Sequence, residues 1–282
     1  MKMLARSNAA ILFRFHDNPD IARERLKILE HFNPQLHRYA LYGGLPAGFE
    51  EARAAVSDLV ESVWQYPERK EKAWKWQHND LMLKAWYRAV GQHASFDFLY
   101  VYDYDMLIAA PLGEVYPNID DHTVALTACE LFTPAMEAHW SWTSWGERRR
   151  AFLQFCEYLH AHYGIKRQRK VCLGPGPLFS RPFLEAWSKT EDIEYVHDEL
   201  AYPAYAEALG FATTDNHLHA GFTVSPAEER YFNCESVDVS TLMILEQLAL
   251  PHGVRAFHPV KHMITLGEIV DTQGEHARHA RV

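Results

Sequence analysis

One stretch constrains this chain more than any other: Phe96-Asp97-Phe98-Leu99-Tyr100-Val101-Tyr102-Asp103-Tyr104-Asp105. Its apolar and aromatic run reads as a buried β-strand, and its end carries two carboxylates one residue apart. Alternation along a strand sends residues i and i+2 to one side, so Asp103 and Asp105 are expected to face one point while Tyr104 turns away. Hard carboxylate oxygens with no His or Cys cluster alongside suit Mg2+ or Mn2+, cations that keep positions open for water and phosphate. The stretch therefore predicts a divalent cation held over a diphosphate by Asp103 and Asp105.

The 282 residues suffice for one large α/β domain with a substantial core. A formal charge of −9 argues against general affinity for nucleic acid or anionic lipid, and no nucleic-acid motif is present. Cys129, Cys156, Cys172 and Cys234 lie far apart without a C-x-x-C pair, and are expected as reduced, mostly buried thiols of a cytoplasmic protein. Near the start, Ala9-Ala10-Ile11-Leu12-Phe13 is too short for a signal or membrane segment, and no other segment reaches transmembrane length. A soluble protein without a transmembrane segment is expected.

Strand and helix patterns alternate. Ala9–Phe15 reads as a strand, Asp20–Phe32 as a helix and Arg38–Tyr42 as a second strand ending at Gly43-Gly44, the simplest reading being a first βαβ unit. Helical spacing over Phe49–Trp64 and Leu81–Val90 precedes the Phe96–Tyr102 strand, which places Asp103 at a strand carboxyl end, where open α/β sheets bind ligands. Downstream, Thr123–Leu131 and Lys170–Leu173 read as strands and Glu147–Tyr163, Arg181–Ser188, His197–Leu209 and Ser240–Leu248 as helices. Gly174-Pro175-Gly176-Pro177 reads as a rigid turn, and Ala220–Val224 and Val254–Phe257 as short strands. Residues 1–265 are expected as one domain, and 266–282 as a tail whose His- and Arg-rich end is frayed.

Four features in fixed order resemble the GT-A fold glycosyltransferases, which use nucleotide-diphosphate sugars with a divalent metal. They are the opening strand and turn Phe13-Arg14-Phe15-His16-Asp17, the Asp103-Tyr104-Asp105 motif, the segment Gly174-Pro175-Gly176-Pro177-Leu178-Phe179-Ser180-Arg181, and His197-Asp198-Glu199-Leu200. The third is similar to the glycine-rich segment of Fringe-like and chondroitin-synthase-like members, with prolines in place of glycine or aromatic residues. The fourth lies where inverting members carry an acidic base at a helix start, in the order Asp-Glu where many relatives have Glu-Asp. Phe257-His258-Pro259-Val260-Lys261-His262 resembles the C-terminal loop whose His completes the metal site. The resemblance spans roughly residues 9–262 and implies an α/β GT-A (Rossmann-like) domain with a mixed, mostly parallel sheet flanked by helices.

It also implies a reaction. A sugar would pass from a nucleotide-diphosphate donor, a UDP-sugar being favoured, to a hydroxyl-bearing acceptor that is a glycan, a lipid-linked molecule or a small molecule. Asp103, Asp105 and His258 are the metal candidates, and Lys261 a point charge beside the phosphates. Asp198 or Glu199 is the candidate base, which would invert the anomeric centre. Arg14, His16, Asp17 and Asp80 are nucleotide-site candidates by position. Trp140 and Trp142 are candidates for stacking on an acceptor sugar, and His262 is a weaker metal candidate. Three other readings are open: a zinc hydrolase built on His217-Leu218-His219 and the further pair His258 and His262, a nucleotidyltransferase of the same fold, and a non-catalytic nucleotide-sugar binder. The second is disfavoured because Phe15-His16-Asp17-Asn18-Pro19 lacks a glycine-rich phosphate loop.

Overall fold

The computed structural model describes residues 8–67, 71–222 and 224–279, apart from 226, 228 and 236. The sheet strands are β1 (Ala9–Phe15), β2 (His37–Tyr42), β3 (Ser62–Gln65), β4 (Phe98–Asp103), β5 (Leu107–Ile108), β6 (Thr123–Leu131), β7 (Lys170–Ser180), β8 (Ala212–Asp215) and β9 (Ala256–Phe257). Seven of them form one sheet in the order β3-β2-β1-β4-β7-β6-β8, while β5 and β9 form a separate two-stranded ladder. β7 runs antiparallel to both β4 and β6, and the remaining pairings of the large sheet are parallel. The fold is thus a mixed, mostly parallel α/β sheet flanked by helices, as the sequence predicts.

The continuous apolar runs of β1 and β4 follow from burial on both faces. Ala10, Leu12, Leu99 and Val101 enter one core, with the helix Asp198–Ala208 above them. Ala9, Ile11, Phe13, Phe15, Tyr100 and Tyr102 enter the other. The helix Pro19–Phe32 contributes Ala22, Leu26 and Leu29 to the second core, and turns Ile28 into a third, made with β5, β9 and the C-terminal helices. Charged Arg25 is also fully buried in this helix, at a position the apolar spacing reserves for the core.

Three local expectations fail. The helix from Phe49 ends at Val56, and Ser62–Gln65, expected as its end, is strand β3 on the sheet edge. Gly174-Pro175-Gly176-Pro177 lies inside the eleven-residue β7, where register shifts against β6 absorb the prolines that suggested a turn. The strand expected at Ala220–Val224 is replaced among the described residues by β8, which pairs with β6. Of residues 266–282, expected as a tail, Leu266–His279 are helical with Ile269 buried in the third core, and 280–282, part of the end expected to fray, lie outside the described residues. All four cysteines are free, but Cys172 alone among them is fully buried. Among the described residues, no helix is long and apolar enough to cross a membrane.

Gly176 has φ +71°, and a Cβ there would lie 2.5 Å from Leu218 Cδ1 and 2.9 Å from the Tyr116 hydroxyl. Gly176→Ala combines left-handed strain with overpacking and should cost about 3 kcal/mol of stability, read as a lower denaturant midpoint at unchanged slope.

Candidate functional site

The carboxyl ends of β1, β2 and β4 open into a cleft of about 720 Å³. Its wall includes Arg14, His16, Asp103, Asp105, Asp198, Glu199, His258 and Lys261, so eight of the ten site residues expected from sequence meet in one place. Asp17 lies outside this wall, near His16, with its carboxylate 3.3 Å from the imidazole Nε2. Asp80 is 2% exposed and also outside the wall.

The two carboxylates of the Asp-x-Asp motif do not share one partner. β1 and β4 run side by side in parallel, and their register makes Arg14 the neighbour of Asp103. The Arg14 guanidinium forks that carboxylate, Nε donating to Oδ1 at 2.8 Å and Nη2 to Oδ2 at 2.9 Å. Burial alone would make Arg14 easier to deprotonate, but the adjoining Asp103 carboxylate outweighs it and raises its pKa. Nη1 is buried and has no hydrogen-bond partner among the described residues. Because β4 ends at Asp103 and the chain turns, with Met106 N donating to Asp103 O, strand alternation does not set the direction of Asp105.

A different element aims Asp105. β5 pairs with β9 antiparallel, Leu107 opposite Phe257, and Val260 N donates to Asp105 O at 2.7 Å. This ladder brings His258 Nε2 to 3.6 Å from Asp105 Oδ1. His258 Nδ1 lies 2.6 Å from the Asn233 carbonyl, which can only accept, so Nδ1 carries a proton and Nε2 is the nitrogen that would ligate a cation. One carboxylate and one imidazole of fixed tautomer suit a divalent cation whose other positions go to water or phosphate. Among the described residues, no three His, Cys, Asp or Glu side chains are grouped as a self-sufficient metal site.

His262 is turned away from this wall, with Nδ1 2.9 Å from Asp238 and Nε2 2.9 Å from Thr241 Oγ1. Buried Arg25 supports the loop, donating to the carbonyls of Val260 at 3.1 Å and His262 at 3.0 Å. Sequence reasoning missed this clamp, and its signal was an arginine in register with Leu29 on an apolar helix face. His217 and His219 do not form a pair: the first side chain is 69% exposed, the second fully buried against Glu229. The H-x-H pair that prompted the zinc hydrolase reading is thereby not assembled, and of the further pair His258 and His262 only His258 lines the cleft.

The other wall is the start of the helix Asp198–Ala208. His197 Nδ1 lies 2.7 Å from Asp198 Oδ1, and the ring stacks on Trp142 with centroids 4.1 Å apart. Burial disfavours a charged imidazole, but Asp198 and Glu199 override it and raise its pKa to about 9. Burial likewise pushes the Asp198 carboxyl up, and the His197 charge more than reverses that, so Asp198 is ionised at neutral pH. Glu199 differs from its neighbour, since its pKa is raised by burial and both oxygens are engaged. Gly174 N donates to Oε1 at 3.0 Å and Trp142 Nε1 to Oε2 at 3.0 Å.

Trp142 is therefore held by its edge and both faces, because the Arg148 guanidinium lies 4.1 Å from the ring centroid and cannot share the face His197 covers. It has no face left for a sugar. Trp140 packs edge-on against Phe222, while Trp76, 58% exposed on the same cleft, keeps open aromatic surface. Sequence reasoning passed over Trp76, since nothing in its spacing separates it from core tryptophans.

Asp80 lies behind this wall, and burial followed by the charge of Asp198 raises its pKa to about 7. A carboxyl whose folded pKa exceeds its unfolded value binds more protons in the folded state, so it costs stability as pH rises from about 4 to 7. Asp80→Asn should consequently gain on the wild type by on the order of 2 kcal/mol between pH 4 and pH 8, measured by denaturant unfolding at each pH.

No family model matches the chain, and no curated protein does. Among solved structures, a mannosyltransferase from Pyrobaculum calidifontis in complex with GDP-Man and Mn2+ aligns over 75% of this chain and 55% of its own, at 14% identity and TM-score 0.44. The bifunctional glycosyltransferase WbbM aligns over 99% of this chain and 52% of its own, at 10% identity and TM-score 0.41. The galactosyltransferase LgtC, with donor and acceptor sugar analogues, aligns over 73% of each chain at 13% identity and TM-score 0.39. This chain spans about half the length of the first two. At such identities and scores the likeness confers no activity on it.

Proposed function

We propose that this protein is a GT-A-type, metal-dependent glycosyltransferase, moving a sugar from a nucleotide-diphosphate sugar to an acceptor hydroxyl with inversion. One observation carries the proposal: a single cleft holds the Asp105–His258 donor pair on one wall and the ionised, buried Asp198 on the other. Asp105 and His258 would hold Mn2+ or Mg2+, which when bound supplies Lewis-acid neutralisation of the departing nucleotide diphosphate. Lys261, on the same wall, adds a positive charge for the phosphates.

Asp198 takes the acceptor proton. The choice over Glu199 follows from hydrogen bonding, because Glu199 spends both oxygens on Gly174 and Trp142 and fixes the wall. The charged His197 keeps Asp198 ionised and ready to accept a proton. Backbone comes close at Gly174, where a Cβ would stand 3.5 Å from Asp198 Oδ1. Exposed Trp76 offers the acceptor sugar a face.

Calorimetric titration with UDP, GDP and dTDP, each with and without Mn2+, should show metal-dependent binding of one nucleotide, abolished by Asp105→Ala. Absence of binding to folded protein under every metal condition would sink the proposal. With the donor identified, Asp198→Asn should lower kcat by about 10³-fold with the donor Kd unchanged. Glu199→Gln, which loses one of two anchoring contacts, should lower it by about tenfold.

A further inference from the structure

The pair Arg14–Asp103 is the one feature of the cleft that opposes simple cation binding. Asp103 has both oxygens in the guanidinium fork, and its side chain is 21% exposed against 7% for Arg14. A carboxylate committed in this way is electrically neutralised, and two of its about four lone-pair sites are taken by the guanidinium. Yet Arg14 carries a buried Nη1 without a partner among the described residues, and Arg14 itself lines the cleft. A buried, unpaired charged N–H is destabilising and is relieved by any acceptor that reaches it. Diphosphate oxygens match a guanidinium fork as well as a carboxylate does.

We infer that Arg14 holds Asp103 in reserve: an anionic phosphate entering the cleft draws the guanidinium onto itself and frees Asp103 as a third donor, and second carboxylate, beside Asp105 and His258. The cation and the phosphate ligand then load together. Each raises the affinity for the other by the same factor, since linkage is reciprocal. Without phosphate the site offers one unneutralised carboxylate, and with phosphate it offers two; affinity for hard cations rises with that count. This inference rests on reading the cleft as a nucleotide-diphosphate site, but its first test needs no nucleotide.

The experiment is a titration of Mn2+ alone into the full chain, followed by the electron paramagnetic resonance signal of free Mn2+, for the wild type and three variants. Asp105→Ala should abolish the weak wild-type binding. Asp103→Asn should leave it within about twofold, because Asp103 is not a ligand in the free protein. Arg14→Gln should tighten it by about tenfold, because Asp103 is then released. Loss of Mn2+ binding in Asp103→Asn equal to that in Asp105→Ala would overturn the inference, as would wild-type affinity in folded Arg14→Gln. If Arg14→Gln does not fold, the near-isosteric Asp103→Asn still decides. Repeating the titration with the nucleotide that binds should show its enhancement of Mn2+ affinity strongly reduced in Asp103→Asn; full retention would also overturn the inference. Failure of every nucleotide to bind would count against the glycosyltransferase proposal, a result readable separately from the Mn2+-only comparison.

Discussion

The cleft depends on the parallel pairing of β1 with β4. That register sets Arg14 beside Asp103 near the carboxyl ends of two largely buried strands, and the buried Arg14 charge is tolerable because its neighbour carries the opposite one. Removing one member of such a pair typically costs about 3–5 kcal/mol, because the remaining charge is stranded. The pair is therefore structural in its own right. It holds the strand ends together where the chain leaves the sheet, and it divides the Asp-x-Asp motif into a carboxylate tied to the scaffold and one aimed at the cleft.

The second constraint is the ladder of β5 with β9. Two residues on each side suffice to bring a loop more than 150 positions downstream against Asp105, and Arg25 holds that loop from beneath through its carbonyls. His258 gains its orientation from Asn233, so the imidazole reaches the cleft with Nε2 outward. Opposite, three consecutive residues at one helix start take three roles through their surroundings. His197 is charged by its acidic neighbours, Asp198 is ionised by His197, and Glu199 is spent on anchoring Trp142 and Gly174. Acidic residues are favoured at a helix N-terminus in any case, so the macrodipole accounts for their presence but not for their division of labour.

Much of this was legible along the chain. The apolar runs of β1 and β4 announce strands covered on both faces, and Asp103 at the end of one of them marks the edge of the sheet where the cleft opens. The expected residues Arg14, His16, Asp103, Asp105, Asp198, Glu199, His258 and Lys261 gather in one cleft. Local signals failed where tertiary pairing overrode them. The prolines of β7 looked like a turn because the bulges against β6 that absorb them are non-local, and β3 looked like helix because helical apolar spacing ran on past Val56.

From the sequence alone came the class of fold, the strand end that carries the site and the chemical kinds of group assembled there, since each rests on periodicity or residue type within a short window. Only the tertiary structure decided which carboxylate is free. Arg14 and Asp103 stand 89 positions apart, and whether they meet depends on which strand β4 lies beside. The same holds for Glu199 against Asp198, for Trp142 against Trp76 and for Asp80, which left the cleft for a buried position behind it. Hydrogen-bond partners and burial distinguish these groups, and both are properties of residues brought together by folding rather than of residues adjacent in the chain.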